Sequence, residues 1–406
     1  MKAMENPERG SAGQHQGVAM KKGWQTKRLG DVCAFDKAQG IHRGLPYVGL
    51  EHIESHTARF IGSSEPQPVK SSTFRFSDEH VLYGRLRPYL NKALAPDFEG
   101  HCSTEIFPLK PRPELSREYL LFWLLADETC DRINETCTGA RMPRAQMNDV
   151  LSFEIPVPPL AEQQRIVGLL DEAFEGLATA KANAEKNLQN ARALFESHLQ
   201  SVFTHRGPGW VEKRLDELCT FSSSGTPSKI NTSYWSGKIP WISGRDMKST
   251  RLSDSFLHIS KSAVDESSTR MAAVGTLLIL VRGMGLAHGA QIAELLVPCA
   301  FNQDIRGIHA KPNMLPRYLL FALREVINSS DTVLSNAAHG TLKIDSNELQ
   351  KVVIPFPPLE QQRRIVTLIE ALSEETQRLA RLYERKLAAL EALKKSLLHQ
   401  AFTGGL

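Results

Sequence analysis

The chain has 406 residues, enough for two or three domains, because a single hydrophobic core rarely grows past roughly 250 to 300 residues. Hydrophobic residues make up 41% of it and charged residues 23%, which excludes collagen-like, mucin-like and broadly disordered proteins. The net charge of +4 is not concentrated in either half of the chain. Residues 24–158 have 16 basic and 18 acidic side chains, and residues 207–357 have 16 basic and 13 acidic side chains. A uniformly basic surface is therefore excluded, and any phosphate contacts must come from locally arranged side chains.

The first 23 residues contain basic side chains but lack the apolar segment that a secretory signal needs. We predict that residues 1–23 form a disordered tail, in which Met20 is an alternative start. The most apolar segment, Met271 to Val281, has 11 residues and is shorter than the roughly 18 to 20 that span a bilayer, so no membrane span is predicted. The six cysteines include no CxxC pair and no cluster with histidines, which predicts a cytoplasmic protein without a bound metal.

The sequence contains a long internal repeat. WQTKRLGDVCAF, which begins at Trp24, recurs as WVEKRLDELCTF from Trp210. IPVPPLAEQQRIVGLLDEAF at 155–174 recurs as IPFPPLEQQRRIVTLIEAL at 354–372, an offset of 199 residues. We therefore predict a tandem duplication of a globular domain followed by a helix.

After the proline cluster of each copy, apolar residues recur at alternating steps of four and three, which is typical of a heptad seam. The predicted seam residues are Ile166, Leu170, Leu177, Leu194, Ile365, Ile369, Leu372, Leu379, Leu390 and Leu393. About 44 helical residues would extend about 65 Å, more than one domain can cover. We predict that the two helices pair as an antiparallel coiled coil; an amphipathic helix that lies on its own domain is the alternative.

The globular halves have short apolar or alternating runs separated by Gly, Pro and Ser turns, which predicts mixed α and β structure. Predicted strands are 47–50, 106–109, 277–281 and 305–308, and predicted short helices are 119–125 and 318–323. The fold class is α+β: two pseudo-symmetric mixed α/β domains separated by two long helices that form an antiparallel coiled coil. The predicted boundaries are 1–23 for the tail, 24–158 for the first domain, 159–206 for the central helix, 207–357 for the second domain and 358–406 for the C-terminal helix.

Catalytic motifs are absent from the sequence. There is no GxxxxGK[ST] nucleotide loop and no aromatic-terminated Asp-Pro-Pro or Asn-Pro-Pro motif of amino-methyltransferases. Gly283 and Gly285 form only half of a dinucleotide fingerprint, and no lysine follows Asp97 and Glu99 at a nuclease spacing. We therefore predict a protein that performs no catalysis; an enzyme with its own methyltransferase or nuclease site, and a coiled-coil scaffold, remain as alternatives.

Polar residues at the predicted strand ends suit recognition of DNA instead. Residues 84–89 place arginine and tyrosine side chains at a strand-to-loop edge, where arginine can bind guanine O6 and N7 and tyrosine or lysine can hold phosphate. Similar groups precede the proline turn of each copy, at 139–144 and 339–343. A surface ion-pair cluster is the alternative for any single residue of 84–89, and a plain basic loop is the alternative for the two later clusters. The predicted DNA-binding residues are Arg43, Arg85, Arg87, Tyr89, Lys92, Arg141, Arg144, Thr226, Ser228, Lys229, Arg245, Arg282, Asn302, Gln303 and Lys343.

Several of these segments together resemble the specificity subunits of type I restriction-modification systems. The resemblance covers Trp24 to Phe402 and is carried by the segments 46–53, 83–90, 102–105, 225–228, 234–235 and 239–242, and by the doubled Pro-Pro-Leu helix start. One departure is Gln361, where the family usually has glutamate, which predicts a slightly weaker helix cap in the second copy.

The resemblance implies a non-catalytic subunit whose two target-recognition domains read a bipartite site on double-stranded DNA, one half-site each. It also implies that the helical spacer docks two methyltransferase (M) subunits and restriction/translocase (R) subunits. S-adenosylmethionine, ATP and Mg²⁺ are then expected on those partners, and no cofactor on this chain.

Overall fold

The computed structural model describes residues 21, 23–67, 69–139, 141–330, 334–336 and 342–406. Most of the predicted tail and residues 339–341 of the last predicted binding cluster lie outside the described residues. The chain divides into two compact units: the first joins the residues up to Glu185 with Glu384–Leu406, and the second is Lys186–Tyr383. Each unit therefore contains one globular domain and a part of both long helices.

The first unit is built from three sheets. Its strands are β1 (Gln25–Arg28), β2 (Cys33–Phe35), β3 (Gln39–Gly40), β4 (Tyr47–Val48), β5 (Thr73–Phe76), β6 (Val81–Gly84), β7 (Ala93–Leu94), β8 (Gly100–Cys102), β9 (Ile106–Pro111) and β10 (Glu154–Val157). They are ordered β2-β9-β6-β7, β3-β5-β8-β4 and β1-β10. All pairs are antiparallel except β4 with β8.

The helices of the first unit contribute to the larger of its two hydrophobic clusters. They are α1 (Leu29–Val32), α2 (Arg117–Leu125), α3 (Asp127–Glu135) and α4 (Met147–Leu151), with 3-10 turns at Leu50–His52 and Pro88–Leu90. The side chain of Ser116 caps α2 by accepting from the backbone N–H of Tyr119. All seven residues from Tyr119 to Leu125 are buried, so α2 is enclosed on every side rather than amphipathic.

The second unit repeats this plan with additional strands. They are β11 (Val211–Arg214), β12 (Cys219–Ser223), β13 (Ile239–Ile242), β14 (Arg251–Leu252), β15 (Leu257–Ile259), β16 (Met271–Ala272), β17 (Leu277–Leu280), β18 (Ile292–Leu295), β19 (Cys299–Phe301), β20 (Ile305–Ala310), β21 (Leu334–Asn336), β22 (Leu342–Ile344) and β23 (Val353–Phe356). Their orders are β12-β20-β17-β18-β14, β15-β13-β19-β16, β11-β23 and β21-β22. As with β4 and β8, the strand β13 runs parallel to β19.

The helices of the second unit are α6 (Leu215–Leu218), α7 (Lys261–Glu266), α8 (Pro316–Asn328) and α9 (Ser346–Lys351), with 3-10 turns at Thr232–Trp235 and Met284–His288. The helix α8 begins at a proline, whose fixed φ suits the first helical turn. The predicted helices 119–125 and 318–323 and the predicted strands 106–109, 277–281 and 305–308 are confirmed to within a few residues. The predicted strand 47–50 is shorter, because a 3-10 turn begins at Leu50.

The long helices α5 (Leu160–Thr204) and α10 (Leu359–Thr403) have 45 residues each. In the first unit, Ile166 and Leu170 near the start of α5 share a buried core with Leu398 and Ala401 near the end of α10. In the second unit, Leu199 and Phe203 near the end of α5 share a core with Ile369 near the start of α10. The two helices therefore run antiparallel in each unit. Among the described residues, no helix is both long and apolar enough to cross a membrane.

The predicted seam is wrong at one position of each helix. Leu194 is 52% exposed and Leu393 is 48% exposed. The predicted seam runs from Ala184 through the polar Asn187 and Ala191 to Leu194. Asn187 is exposed and Ala191 is buried, and beyond Ala191 the helix half-buries Phe195 rather than Leu194.

The equivalent of Phe195 in the second long helix is Lys394. Phe195 packs on the core of the second unit, under the guanidinium of Arg324. Lys394 lies over the ring of Phe174 in the first unit and donates to the carbonyl of His56. At this point each helix also packs on a globular domain, so heptad spacing alone no longer decides which side is buried. The remaining predicted seam residues, Leu177, Ile365, Leu372, Leu379 and Leu390, are half-buried.

Each long helix is fastened to its domain by one buried glutamine. Gln163 accepts from the N–H of Ser116 (2.8 Å) and donates to the carbonyls of Glu114 (2.9 Å) and Pro158 (2.8 Å). Gln362 makes the same three bonds, with the N–H of Leu315 and the carbonyls of Asn313 and Pro357. This anchor repeats at the 199-residue offset and explains why a glutamine follows each Pro-Pro-Leu start.

We expect Gln163→Leu to lower the free energy of unfolding of the first unit by about 2 to 4 kcal/mol, because it leaves buried backbone groups without partners. Hydrogen exchange of the buried α2 amides measures this loss. Gln164→Leu changes the exposed neighbouring glutamine and is the matched control. Equal protection in both variants would contradict the anchoring role.

Candidate nucleic-acid interface

Two predicted binding clusters of the first unit, far apart in sequence, come together at the end of β6. The N–H of Arg87 donates to the carbonyl of Pro143 (2.8 Å), and the N–H of Ala145 donates to the carbonyl of Arg85 (2.9 Å). The N–H of Arg85 in turn donates to the carbonyl of Glu105 (2.9 Å). We call the surface formed by residues 85–89 and 141–145 the first edge.

The exposed side chains of the first edge are those best placed to reach a ligand. Arg87 has φ +51° and an exposed side chain, and Tyr89 is 48% exposed. Arg141 and Arg43 are also exposed. Arg85 is half-buried: its guanidinium lies over the ring of Phe107 (5.2 Å), and within the described structure its buried Nε has no hydrogen-bond partner. A bound phosphate or base acceptor would satisfy that donor.

Two predicted binding residues of the first unit have contacts within the protein. The guanidinium of Arg144 donates through Nε and Nη2 to the carboxylate of Glu105 at 2.9 to 3.0 Å, and these bonds raise the pKa of Arg144. The ammonium of Lys92 donates to the carbonyl of Leu50 (2.6 Å). Both therefore hold loops in place, and their contact with DNA stays a prediction.

The second unit has the same arrangement of backbone bonds. The N–H of Val281 donates to the carbonyl of Asp304 (2.8 Å), and the N–H of Ile344 donates to the carbonyl of Val281 (2.9 Å). Arg282 pairs with Lys343 in an isolated antiparallel bridge. We call the surface formed by residues 281–283 and 342–344 the second edge.

The two edges align by their backbone bonds in a way that the sequence did not indicate. In the first edge the bridge equivalent to Arg282 with Lys343 joins Leu86 with Arg144. Arg282 therefore occupies the position of Leu86, and not that of Arg85 or Arg87 as their pairing in sequence suggested. Gly283, with φ +134°, stands where Arg87 stands in the first edge. Both backbones need a positive φ there, which glycine adopts without strain.

A loop before β13 lies next to the second edge. The hydroxyl of Thr226 donates to the side-chain carbonyl of Gln303 (2.6 Å), one residue before Asp304. The indole N–H of Trp235 donates to the carbonyl of Ser228 (3.1 Å), and the side chains of Ser228 and Lys229 are exposed. The predicted hydroxyl, amide and basic groups thus lie on one continuous rim, which we call the second rim (residues 225–231 with Gln303).

Asn302 is buried, whereas its predicted contact with DNA requires an exposed amide. It is 8% exposed, its Oδ1 accepts from the N–H of Asp304 (3.2 Å) and its Nδ2 donates to the Asp304 carboxylate (3.2 Å). The hydroxyl of Ser103 accepts from the N–H of Glu105 in the same way in the first unit. Asn302 is therefore a turn residue whose amide is already bonded, and adenine contact by it stays a prediction that this geometry does not favour.

Arg245, Glu105 and Asp304 are the remaining residues of the site. The guanidinium of Arg245 is exposed and lies over the ring of Phe256 (4.5 Å). The roles of Glu105 and Asp304, which hold the two edges, are not predicted from the sequence, although Glu105-Ile106 and Asp304-Ile305 repeat at the 199-residue offset. No group of three or more His, Cys, Asp or Glu side chains in the described ranges could hold a metal ion.

The sequence matches a known family of protein domains. The sequence profile of the type I restriction modification DNA specificity domain matches twice, at residues 21–188 and 208–385. The chain belongs to this family of DNA specificity domains. The resemblance found in the sequence is confirmed, and each unit holds one match almost entirely.

Several curated specificity subunits are similar to the chain over part of their length. The EcoR124I/EcoR124II specificity subunit of Escherichia coli is 32% identical over 229 residues, 53% of this chain and 55% of that protein. The EcoDI specificity subunit of Escherichia coli is 28% identical over 43% of this chain and 38% of that protein. The chain thus spans about half of the length of these relatives or less. A putative specificity subunit, MjaX of Methanocaldococcus jannaschii, is 22% identical over 81% of this chain and 76% of its own length.

Two solved structures show the same fold as this specificity-domain chain. A chain from a study of complex assembly and conformational transition of the type I R-M system has a TM-score of 0.80 and 23% identity, over 95% of this chain and 99% of that one. The HsdS subunit from Thermoanaerobacter tengcongensis has a TM-score of 0.62 and 23% identity, over 95% and 98%. The predicted α+β fold class, with two related domains and two long antiparallel helices, is confirmed.

Proposed function

We propose that this chain is the DNA-reading subunit of a type I restriction-modification complex and that each unit recognises one half of a bipartite site on double-stranded DNA. The observation that supports this best is the duplication of the edge: the same three backbone bonds present residues 85–87 in one unit and 281–283 in the other. The side chains at equivalent positions differ, as two readers of different sequences require. Contacts with bases determine which DNA sequence is bound, and contacts with phosphates position the protein on the DNA. Different side chains on the same backbone frame therefore recognise different base sequences.

The proposed contacts are the exposed polar side chains of the two edges and of the second rim, together with Arg43 and Arg245, which lie outside them. They are Arg43, Arg87, Tyr89 and Arg141 in the first unit and Ser228, Lys229, Arg245, Arg282 and Gln303 in the second. Arg85 belongs with them, because its buried Nε has no hydrogen-bond partner among the described residues. The recognition domains are proposed to extend over 24–158 and 207–357, and the spacer helices over 159–206 and 358–406.

The partners follow from membership of the family. We propose that the helical spacer docks two methyltransferase subunits and that restriction/translocase subunits join them, in the cytoplasm. S-adenosylmethionine, ATP and Mg²⁺ are then bound by those subunits. In this proposal the chain provides the contacts with DNA, and its partners perform methylation and cleavage. The lack of a nucleotide loop or amino-methyltransferase motif in the sequence agrees with this division.

The test is to express the chain with the methyltransferase subunit of its own system and to sequence methylated adenines in the DNA of the host. The expected result is one bipartite motif with a fixed gap of non-specific base pairs. A single continuous motif, or methylation without sequence preference, would contradict reading by two units.

We expect the purified chain alone to neither methylate nor cleave DNA and to bind no S-adenosylmethionine. Isothermal titration with S-adenosylmethionine and a tritium-transfer assay measure this, with the complex of chain and methyltransferase subunit as the positive control. Methyl transfer by a preparation free of that subunit would support the alternative of an enzyme with its own active site.

A further inference from the structure

The second rim presents one large apolar side chain to solvent. Ile230 is 94% exposed. Single exposed apolar residues are common on protein surfaces. The loop that carries Ile230 is hydrogen-bonded on both sides of it, at Ser228 and at Asn231, so this side chain is presented in a fixed position.

Hydrogen bonds hold the loop at its start, in its middle and at its end. The carbonyl of Gly225 at its start accepts from the hydroxyl of Thr269 (2.8 Å) and from the indole N–H of Trp241 (3.4 Å). The bonds from Thr226 to Gln303 and from Trp235 to Ser228 hold its middle. At its end, the side chain of Asn231 accepts from the N–H of Ser233 (3.2 Å).

The surroundings of Ile230 suit a nucleic acid more than a protein. Its neighbour Lys229 is exposed and can pair with phosphate. Lys229 also lines a hollow of about 290 Å³ with Thr232, Trp235 and Leu257, so apolar surface and a cation lie side by side. The loop is continuous with the second edge through the bond from Thr226 to Gln303. The floor of the major groove presents hydrogen-bond donors and acceptors together with the methyl group of thymine, so a surface that combines cations, hydroxyls and apolar groups can contact it.

The first unit presents a similar side chain at the corresponding place. Ile41 is 63% exposed and lies two residues before Arg43. Its loop leads into β4, the strand parallel to β8, just as the loop of Ile230 leads into β13, the strand parallel to β19. Both domains therefore hold an exposed isoleucine beside a cation in the same loop.

An isoleucine cannot form hydrogen bonds, and in the major groove the apolar group on a base edge is the 5-methyl of thymine. We propose that Ile230 is a specificity-determining residue that contacts the 5-methyl group of a thymine in the half-site read by the second unit. This inference rests on the proposed function, because it needs that unit to bind DNA through the second rim.

The test combines removal of the methyl group with removal of the side chain. After the bipartite motif has been determined, each thymine of the second half-site is replaced in turn by deoxyuridine, which lacks only the methyl group. Binding by the complex of full chain and methyltransferase subunits is measured by fluorescence anisotropy. At one position we expect deoxyuridine to weaken binding by the wild type about fourfold, the value for one buried methyl group. Ile230→Ala should weaken binding to the thymine duplex and show no further loss with deoxyuridine.

Val274→Ala is the matched control. Val274 is 59% exposed and precedes β17, whereas Arg282 follows the other end of that strand, so the truncation lies at the opposite end from the second edge. This variant should keep the full deoxyuridine effect. The proposal is overturned if the deoxyuridine effect is the same in wild type and Ile230→Ala, if no thymine of the half-site is sensitive, or if Ile230→Ala instead prevents assembly with the methyltransferase subunits. If the wild-type complex methylates no bipartite motif, it is the proposed function that fails.

Discussion

Lengthening both long helices by four residues should give a complex that methylates the same two half-sites with a gap one or two base pairs longer. The insertions are placed after Glu185 and after Tyr383, where the chain passes from one compact unit to the other, so that neither unit is interrupted. Four residues add about 6 Å of helix and about 400° of rotation, only about 40° more than a full turn. Since base pairs rise about 3.4 Å, the added length corresponds to fewer than two of them.

Insertion of two residues at the same places is the contrasting variant. It adds about 3 Å but turns each helix by about 200°, which directs the buried face beyond the insertion toward solvent. We expect this variant to lose methylation of the bipartite site. Sequencing of methylated adenines in cells that express each variant is the measurement. An unchanged gap with full activity in the four-residue variant would show that these helices do not set the spacing.

Removal of one exposed arginine from each edge should relax one half-site and leave the other intact. Arg87→Gly removes the guanidinium and keeps the positive φ, since glycine already occupies this position in the second edge. Arg282→Ala removes the guanidinium of the second edge. A lost bidentate base contact costs about 1 to 3 kcal/mol of discrimination, or about five- to 150-fold in relative affinity.

Each of these two variants is the control for the other. The relative affinities are measured by competition between duplexes that carry every single-base change of the two half-sites. Relaxation of both half-sites by either variant would contradict the assignment of one half-site to each unit. A uniform loss across all duplexes, with a smaller dependence on salt, would assign the arginine to a phosphate instead.

The sequence predicted the repeated elements well because repetition and periodicity are local signals. The helix α2, the strands β9, β17 and β20, and the two long helices could all be predicted from spacing and from the 199-residue offset. The seam failed near Leu194 and Leu393, because a helix that also packs on a globular domain changes its buried side without a break in its pattern. That change depends on Phe195 and Lys394 meeting surfaces contributed by distant parts of the chain.

The candidate site was harder to predict than the fold. The sequence indicated which residue types could contact DNA, but not that residues 141–145 would pair with residues 85–87. It also could not distinguish Arg87, which is exposed, from Arg144, which is bonded to Glu105. Such differences depend on which polar groups find partners within the protein, and the partners here lie about 40 residues or more away along the chain.

The division of the chain into units also bears on the order in which the protein can fold during synthesis. The first unit needs Leu398 and Ala401 for its core, and the ring of Phe402 packs edge to face on Tyr119 (5.1 Å). Roughly 200 residues separate these side chains from the rest of their unit, which takes a ribosome about 10 to 40 s to translate. During that interval the part of this core that Leu398, Ala401 and Phe402 complete is missing, while the whole of the second unit emerges. We therefore expect the domain that is made first to be the last completed, and to depend on chaperones until the final helix arrives.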